Sequence, residues 1–223
     1  MAWQEVARAQ LPGGDVLTLR RHGADFEIRF NLLELMSSRN PVSERVLAQA
    51  VCSRIEAKAA HILIGGLGMG YTVRAVLDQG DADVHIMIAE LVPEVIAWNR
   101  GPLAGLALRP LDDPRVTVRN EDVANVIRAH PGTFDAILMD VDNGPEAALF
   151  PANRYLYTAD GVTLILSGLK SGGVLGLWSS GRAPEFELIL EGGGFRSEHE
   201  KVDVLDKGRL AHAIYLIQPE DKT

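Results

Sequence analysis

The sequence is poor in several features, and each shortage excludes a class of protein. It has one cysteine, Cys52, so no disulfide can form within the chain, which favours a cytoplasmic location. No apolar stretch reaches the ~20 residues that a membrane-spanning helix requires. The first residues, Met-Ala-Trp-Gln-Glu, lack the basic and then apolar order of a signal peptide. We therefore expect a cytoplasmic protein that neither crosses a membrane nor depends on disulfides.

Basic residues are in the minority. The chain has 22 Lys and Arg against 30 Asp and Glu, which gives a formal net charge of -8. Binding to DNA or RNA requires a basic face, so no nucleic acid partner is expected, whereas a cationic small molecule is compatible with this charge. The six histidines show no metal-ligand spacing, and we expect no metal site.

What the chain does contain is a glycine-rich turn between a predicted strand and a predicted helix. The apolar-rich segment 61–64 leads to three alternating glycines, Gly66, Gly68 and Gly70. Such a turn lets a ligand lie against the backbone, and the helix N-terminus offers N–H groups to it. The next strand, 84–90, ends in Glu90, whose carboxylate can accept both hydroxyls of a ribose. This pairing is typical of the nucleoside-binding half of a Rossmann-like sheet, although a glycine turn can also simply end a strand.

The spacing of the glycines distinguishes between two kinds of nucleoside ligand. The dinucleotide fingerprint is Gly-x-Gly-x-x-Gly, and its third glycine allows the helix to pack closely on the strand. Tyr71 stands at that third position, which disfavours an NAD-dependent reductase. The alternating pattern favours S-adenosylmethionine, because that ligand has no pyrophosphate to bind.

The first 39 residues differ in pattern from the rest of the chain. The segments 16–21 and 25–30 alternate apolar and polar side chains around a short turn, which predicts a β-hairpin. The segment 3–10 is predicted to add a third strand. Three short strands bury little surface alone, so we expect residues 1–39 to form a small N-terminal β appendage on a main domain, residues 40–223.

The main domain alternates strands and helices from residue 61 onward. Asn40 and Pro41 have the properties of a helix start. Beyond the first two strands, further strands are predicted at 115–118, 134–140, 173–178, 195–205 and 210–217. The last two form a hairpin through the turn 206–208. This order predicts an α/β fold with a Rossmann-like sheet of the class I methyltransferase type, mostly parallel with an antiparallel last strand.

Acidic residues follow the predicted strands, at the ends where ligands of open α/β sheets bind. They are Glu121, Asp122, Asp140 and Asp142. Asp122 can accept the amino group of adenine, or it can cap the next helix. Asp140 is placed to bind an amine acceptor and take its proton, whereas Asp142 either assists or only forms a turn with the following Asn-Gly-Pro. Trp178 is expected either in the core or in the wall of the acceptor pocket.

Several of these segments resemble the spermidine synthase family. They are Asp112–Val116, Glu121-Asp122, Phe134–Asp140 with Gly144-Pro145, and Leu169–Val174. The resemblance runs from about Gly65 to Trp178, and it implies that Glu90 binds ribose, Asp122 binds adenine and Asp140 accepts the proton. It also implies decarboxylated S-adenosylmethionine as the ligand, and it favours a homodimer. A small β domain before the Rossmann-like core is similar as well.

The sequence departs from the family pattern in the parts that bind the substrate. Met69 stands where the family has an aspartate that helps to hold the aminopropyl amine. The acidic motif is shortened, so its second acid falls at Asp142. No clear Tyr-His-Glu motif is present, and Glu34 is the nearest substitute. The absence of a carboxylate at Met69 leaves room for the carboxylate of full S-adenosylmethionine, which favours methyl transfer.

The sequence therefore predicts a transferase, and three functions stay open. The first is methyl transfer from S-adenosylmethionine to a small acceptor, for which a cationic amine is a candidate. The second is aminopropyl transfer of the spermidine synthase type, and the third is nucleoside binding without catalysis. Predicted catalytic residues are Asp140 and Asp142, and predicted cofactor-binding residues are Gly66, Gly68, Met69, Gly70, Glu90, Glu121, Asp122 and Asp140.

Overall fold

The N-terminal part of the chain forms an antiparallel sheet of its own. The computed structural model describes residues 2–203 and 211–219. The strands of this sheet lie in chain order, and they are β1 (Gln4–Gln10), β2 (Val16–His22), β3 (Asp25–Phe30) and β4 (Leu33–Ser37). The three predicted strands are present. Strand β4, with the sequence Leu-Glu-Leu-Met-Ser, was not predicted, because its alternation of apolar and polar residues covers only the first three positions.

The larger sheet has seven strands in the order β10-β11-β9-β8-β5-β6-β7. They are β5 (His61–Gly65), β6 (His85–Ala89), β7 (Val116–Arg119), β8 (Phe134–Met139), β9 (Leu169–Ser179), β10 (Phe195–Asp203) and β11 (Ala211–Pro219). Strand β11 runs antiparallel to β9 and β10. The other neighbouring strands, β9-β8-β5-β6-β7, are all parallel to one another. The predicted fold class is confirmed, whereas the predicted turn 206–208 lies outside the described residues.

Helices cover both faces of the larger sheet. They are α1 (Val42–Cys52), α2 (Tyr71–Gln79), α3 (Pro93–Arg100), α4 (Val123–Ala129), α5 (Ala159–Ser167) and α6 (Pro184–Gly192). On the central strand β8, Ala136 and Leu138 belong to one buried cluster and Ile137 and Met139 to the other. A strand that is buried on both faces is typical of the centre of a parallel sheet.

The N-terminal sheet packs on the side of the larger sheet that α1 covers. Leu17 and Ile28 lie in the same buried cluster as Leu47 and Val51 of α1. This packing brings β4 towards the carboxyl ends of β5 and β8, where ligands of such sheets bind. The division of the chain at residue 40 into two domains stays a prediction.

Helix α1 begins where the sequence predicts, and it ends at the single cysteine. The side-chain oxygen of Asn40 accepts a hydrogen bond from the N–H of Val42 at 3.3 Å. Cys52 is half-buried, and burial raises the pKa of its thiol to about 11, so the reactive thiolate is scarce at neutral pH. Among residues 2–203 and 211–219, no helix combines the length and the apolar character that crossing a membrane requires.

Candidate functional site

A cavity of about 670 Å³ lies at the carboxyl ends of the central strands. It opens where β5 and β8 are neighbours although they are not consecutive, which is the switch point of the sheet. The glycine-rich turn follows β5, and Asp140 follows β8. Residues of β4 and α1 close the cavity from the side. Its volume is in the range of small-molecule sites.

Gly66 is required by the close approach of the glycine-rich turn to the end of β8. Its φ is +86°, and a Cβ at this position would lie 2.2 Å from the carbonyl oxygen of Asp140. The N–H of Asp140 donates to the carbonyl of Gly65 at 2.9 Å, which fixes the two segments together. Of the four turn residues predicted to bind the cofactor, Gly66 and Gly68 line the cavity.

Met69 does not face the cavity. Its side chain is fully buried in the cluster that also contains α1 and the N-terminal sheet, and neither Met69 nor Gly70 is among the lining residues. The argument that Met69 leaves room for the carboxylate of S-adenosylmethionine therefore has no geometric basis. The sequence gives the residue at a position, whereas the direction of its side chain depends on the backbone of the turn.

Glu90 lies at the end of β6 and lines the cavity. Its two oxygens accept the N–H groups of Leu67 at 2.9 Å and Val92 at 2.8 Å, one on each oxygen. A carboxylate has about four acceptor positions, so each oxygen keeps one for a ligand hydroxyl. Burial raises the pKa of Glu90, and these backbone donors act in the opposite direction. The residue thus ties the glycine-rich turn to β6 and can still accept a vicinal diol.

Asp140 lines the cavity beside the glycine-rich turn. The hydroxyl of Thr72, in the first turn of α2, donates to its Oδ2 at 2.7 Å. Burial raises the pKa of Asp140, and the hydrogen bond from Thr72 partly offsets this effect. Within the described residues, Oδ1 accepts no hydrogen bond, so this oxygen is available to a ligand.

Asp142 organises the loop that follows β8. It is buried, with 5% of its surface exposed, and it accepts four hydrogen bonds. The donors are the N–H groups of Asn143, Leu149 and Phe150 and the side-chain amide of Asn153, at 2.8 to 3.1 Å. All the acceptor positions of the carboxylate are thereby used. This geometry gives Asp142 a structural role and does not support the catalytic role predicted for it.

Glu121 and Asp122 follow β7 and are not among the cavity-lining residues. Glu121 is exposed. Asp122 caps α4, since its Oδ1 accepts the N–H of Ala124 at 2.8 Å. The capping alternative for Asp122 is therefore present in the structure, and its contact with adenine stays a prediction.

Glu44 is a functional candidate that sequence reasoning missed. It lies in the first turn of α1, is 6% exposed and lines the cavity. The hydroxyl of Ser43 donates to its Oε2 at 2.7 Å. Burial, and then the negative charge of Asp140, raise the pKa of Glu44 to about 7. An acid in a first helical turn is common because it interacts favourably with the helix dipole, so the sequence contained no further signal.

The rest of the cavity wall contains an ion pair at its opening and two aromatic rings. Arg39 and Glu34 form an ion pair of 3.4 Å in which both side chains are about half exposed. The rings of Trp178 and His212 pack edge to face with centroids 4.7 Å apart. In the described part of the chain, Trp178 Nε1 and His212 Nδ1 have no hydrogen-bond partner. Burial lowers the pKa of His212, so this ring is neutral at neutral pH.

The chain is similar to one curated protein over most of its length. No family model matches the chain. Polyamine aminopropyltransferase 1 of Streptomyces coelicolor is 26% identical to it over 155 residues. The match covers 65% of this chain and 28% of the relative, so the chain spans less than a third of that protein's length.

Solved spermidine synthases share the fold. The enzyme from Thermotoga maritima has a TM-score of 0.73 at 17% identity, over 97% of this chain and 73% of that chain. A spermidine synthase in complex with the transition-state analogue AdoDATO gives 0.71 at 16% identity with the same coverage. A probable spermidine synthase from Corynebacterium glutamicum gives 0.64 at 18% identity, over 95% of this chain and 79% of that chain. The predicted resemblance to the spermidine synthase family is confirmed.

Proposed function

We propose that the protein transfers an aminopropyl group from decarboxylated S-adenosylmethionine to an amine acceptor. The methyl transfer that the sequence favoured is not supported. Its basis was the position of Met69, which is buried in the core. The relatives described above are named a polyamine aminopropyltransferase and spermidine synthases, which favours the alternative that the sequence left open.

The charge of the cavity carries this proposal. Five carboxyl side chains of the described residues line it: Glu34, Glu44, Glu90, Asp140 and Asp142. Arg39 is the one guanidinium among these lining residues, and it already pairs with Glu34 at the rim. A ligand with its own carboxylate would be repelled here, whereas a sulfonium with an ammonium group and a cationic acceptor would be attracted.

The residues around the glycine-rich turn fit the nucleoside part of such a ligand. Glu90 keeps an acceptor position on each oxygen for the two ribose hydroxyls. Gly66 and Gly68 present backbone to the cavity without a side chain between. These features lie on the β5 and β6 side, whereas Asp140 and Trp178 lie on the β8 and β9 side. The cavity thus has a nucleoside half and an acceptor half.

Asp140 is the proton acceptor in this proposal. The bound ligand supplies an alkyl carbon attached to a sulfonium, which leaves as a neutral thioether when the acceptor nitrogen forms its bond to that carbon. An amine with an ordinary pKa near 10 is protonated at neutral pH and must lose a proton to attack. Burial raises the pKa of Asp140, which makes its carboxylate a stronger base. Alignment in the cavity can contribute about 7–11 kcal/mol to lowering the barrier.

Replacing Asp140 tests this role. Asp140→Asn should lower kcat by about 10²- to 10⁴-fold, the usual contribution of general base catalysis, while the affinity for the nucleoside ligand stays near wild type. The measurements are turnover with a diamine and calorimetric titration with the cofactor. Asp160→Asn, at an exposed acid in the first turn of α5, is the matched control. Unchanged turnover of Asp140→Asn would remove this residue from the mechanism, and a wild type that binds the cofactor without turnover would favour a non-catalytic role.

A further inference from the structure

Met36 is a cavity residue that the proposed function leaves without a role. It lies on β4, is half-buried and lines the cavity. Its side chain ends against the glycine-rich turn, because a Cβ at Gly68 would lie 2.8 Å from the Sδ of Met36 and 2.9 Å from its Cε. The N-terminal sheet thus brings a thioether into contact with the turn on which the ligand is expected to lie.

The contacts of this turn locate the sulfur of the ligand. Glu90 accepts the N–H of Leu67 and keeps acceptor positions for the two ribose hydroxyls. On the other side, Gly66 approaches the backbone of Asp140, whose side chain faces the acceptor. In decarboxylated S-adenosylmethionine the sulfonium is bonded both to the ribose C5′ and to the reacting carbon. It must therefore lie between these two carboxylates, above the turn that Met36 contacts.

A thioether suits this position better than a hydrocarbon side chain does. The sulfonium leaves water when it enters the cavity, and a buried positive charge is costly unless its surroundings compensate for it. The sulfur of methionine is polarizable and is a weak acceptor, so it can stabilise a nearby cation without adding a charge of its own. Among the lining residues of the described chain, Met36 is the one that carries a sulfur atom.

We propose that Met36 binds the sulfonium of the cofactor through its thioether and thereby distinguishes the charged cofactor from neutral thioethers. The inference rests on the proposed function, since it assigns a contact to the cofactor of that reaction. Transfer turns the sulfonium into a neutral thioether, so the contact weakens when the product forms and its loss favours product release. Strand β4 then supplies a binding group in addition to closing the cavity.

Calorimetry with two matched ligands tests this role. The full chain is titrated with decarboxylated S-adenosylmethionine and with decarboxylated S-adenosylhomocysteine, which has the same base, ribose and ammonium but a neutral sulfur. Wild type should bind the sulfonium more tightly. Met36→Leu keeps the size and apolar character of the side chain but removes the sulfur, and it should reduce this preference about threefold to tenfold, the usual size of a sulfur contact. The affinity for the neutral ligand should stay near wild type.

Met87→Leu is the matched control. Met87 lies on β6 and is half-buried like Met36, but it is not among the lining residues, so its replacement should leave the preference unchanged. The role of Met36 would be overturned by a folded Met36→Leu, as judged by thermal unfolding, that keeps the preference of wild type. Equal binding of both ligands by wild type, or binding of neither, would overturn it as well.

Limited oxidation by peroxide gives a second, independent readout of the contact. Peroxide converts an accessible thioether to the sulfoxide, which is measured by mass on the peptides that contain Met36 and Met87. Bound decarboxylated S-adenosylmethionine should remove most of the oxidation of Met36 and leave that of Met87 unchanged. Unprotected Met36 at saturating ligand would contradict the contact. Transfer to a diamine is measured in parallel, so a failure of the proposed function appears as absent product and is distinct from a failure of this contact.

Discussion

At the scale of single residues, Glu44 and Asp160 show how the same sequence feature takes different roles. Both are acids in the first turn of a helix, where a negative charge interacts favourably with the helix dipole. Asp160 is exposed, whereas Glu44 is buried beside Asp140 in the cavity. The difference comes from the N-terminal sheet and β8, which pack around the start of α1, and no local pattern around Glu44 encodes it.

The raised pKa of Glu44 predicts a specific dependence of stability on pH. Folding raises this pKa from 4.5 to about 7, so the folded state favours the protonated carboxyl. Its contribution to stability is present below pH 4.5 and is lost as the pH rises through 7. The loss should amount to about 3 kcal/mol, at 1.36 kcal/mol per pKa unit.

Denaturant unfolding of wild type and Glu44→Gln across this pH range measures the effect. The stability of wild type relative to the variant should fall as the pH rises from 4.5 to 7 and should then level off. Carboxyl groups that do not interact with Glu44 contribute equally to both proteins and cancel in the difference, whereas Asp140 is coupled to Glu44 and contributes to it. A difference that does not change with pH would contradict the raised pKa of Glu44.

At the scale of elements, the glycine-rich turn is held by backbone contacts before any ligand binds. Gly66→Ala places a Cβ 2.2 Å from the Asp140 carbonyl oxygen and should destabilise the protein by about 2–4 kcal/mol. Gly132→Ala is the control, because Gly132 also has a positive φ, +58°, but a Cβ there meets nothing within 4 Å. It should cost only about 1–2 kcal/mol, the strain of a left-handed alanine. Equal losses in chemical denaturation would contradict the close approach of the turn to β8.

The loop after β8 depends on one buried carboxylate. In Asp142→Asn the amide nitrogen replaces an acceptor oxygen and opposes donors, which should cost about 1–3 kcal/mol. Hydrogen exchange at the amides of Leu149 and Phe150 should accelerate, since both donate to Asp142. Asp160→Asn should leave these amides unchanged. Slow exchange in Asp142→Asn would show that the loop has other anchors.

The sequence predicted the elements better than it predicted the directions of side chains. Alternating strands and helices and the terminal hairpin follow from hydrophobic periodicity, which reports on burial along each segment. The position of Glu90 at a strand end was also predictable, because it depends on one strand only. Met69, Asp142 and Glu44 were not, because their surroundings come from segments far away in the chain. Thr72 gives no sequence signal for its hydrogen bond to Asp140 either.

At the scale of the whole molecule, the cavity belongs to both sheets. The larger sheet supplies the glycine-rich turn, Glu90 and Asp140, and the N-terminal sheet closes the space with β4. The excess of acids in the chain, with a net charge of -8, recurs in the cavity, where carboxyl groups outnumber the single guanidinium among the lining residues. Both observations favour cationic ligands, and the charge of the ligand is therefore the property that tests the account.

The most direct measurement compares two cofactors in one assay. Purified protein is incubated with a diamine and either decarboxylated S-adenosylmethionine or S-adenosylmethionine, and the amine products are identified by mass. We expect an aminopropylated product from the decarboxylated cofactor and no methylated product from the carboxylated one. Methylation of the amine, with no aminopropyl transfer, would contradict it and would restore the function that the sequence favoured.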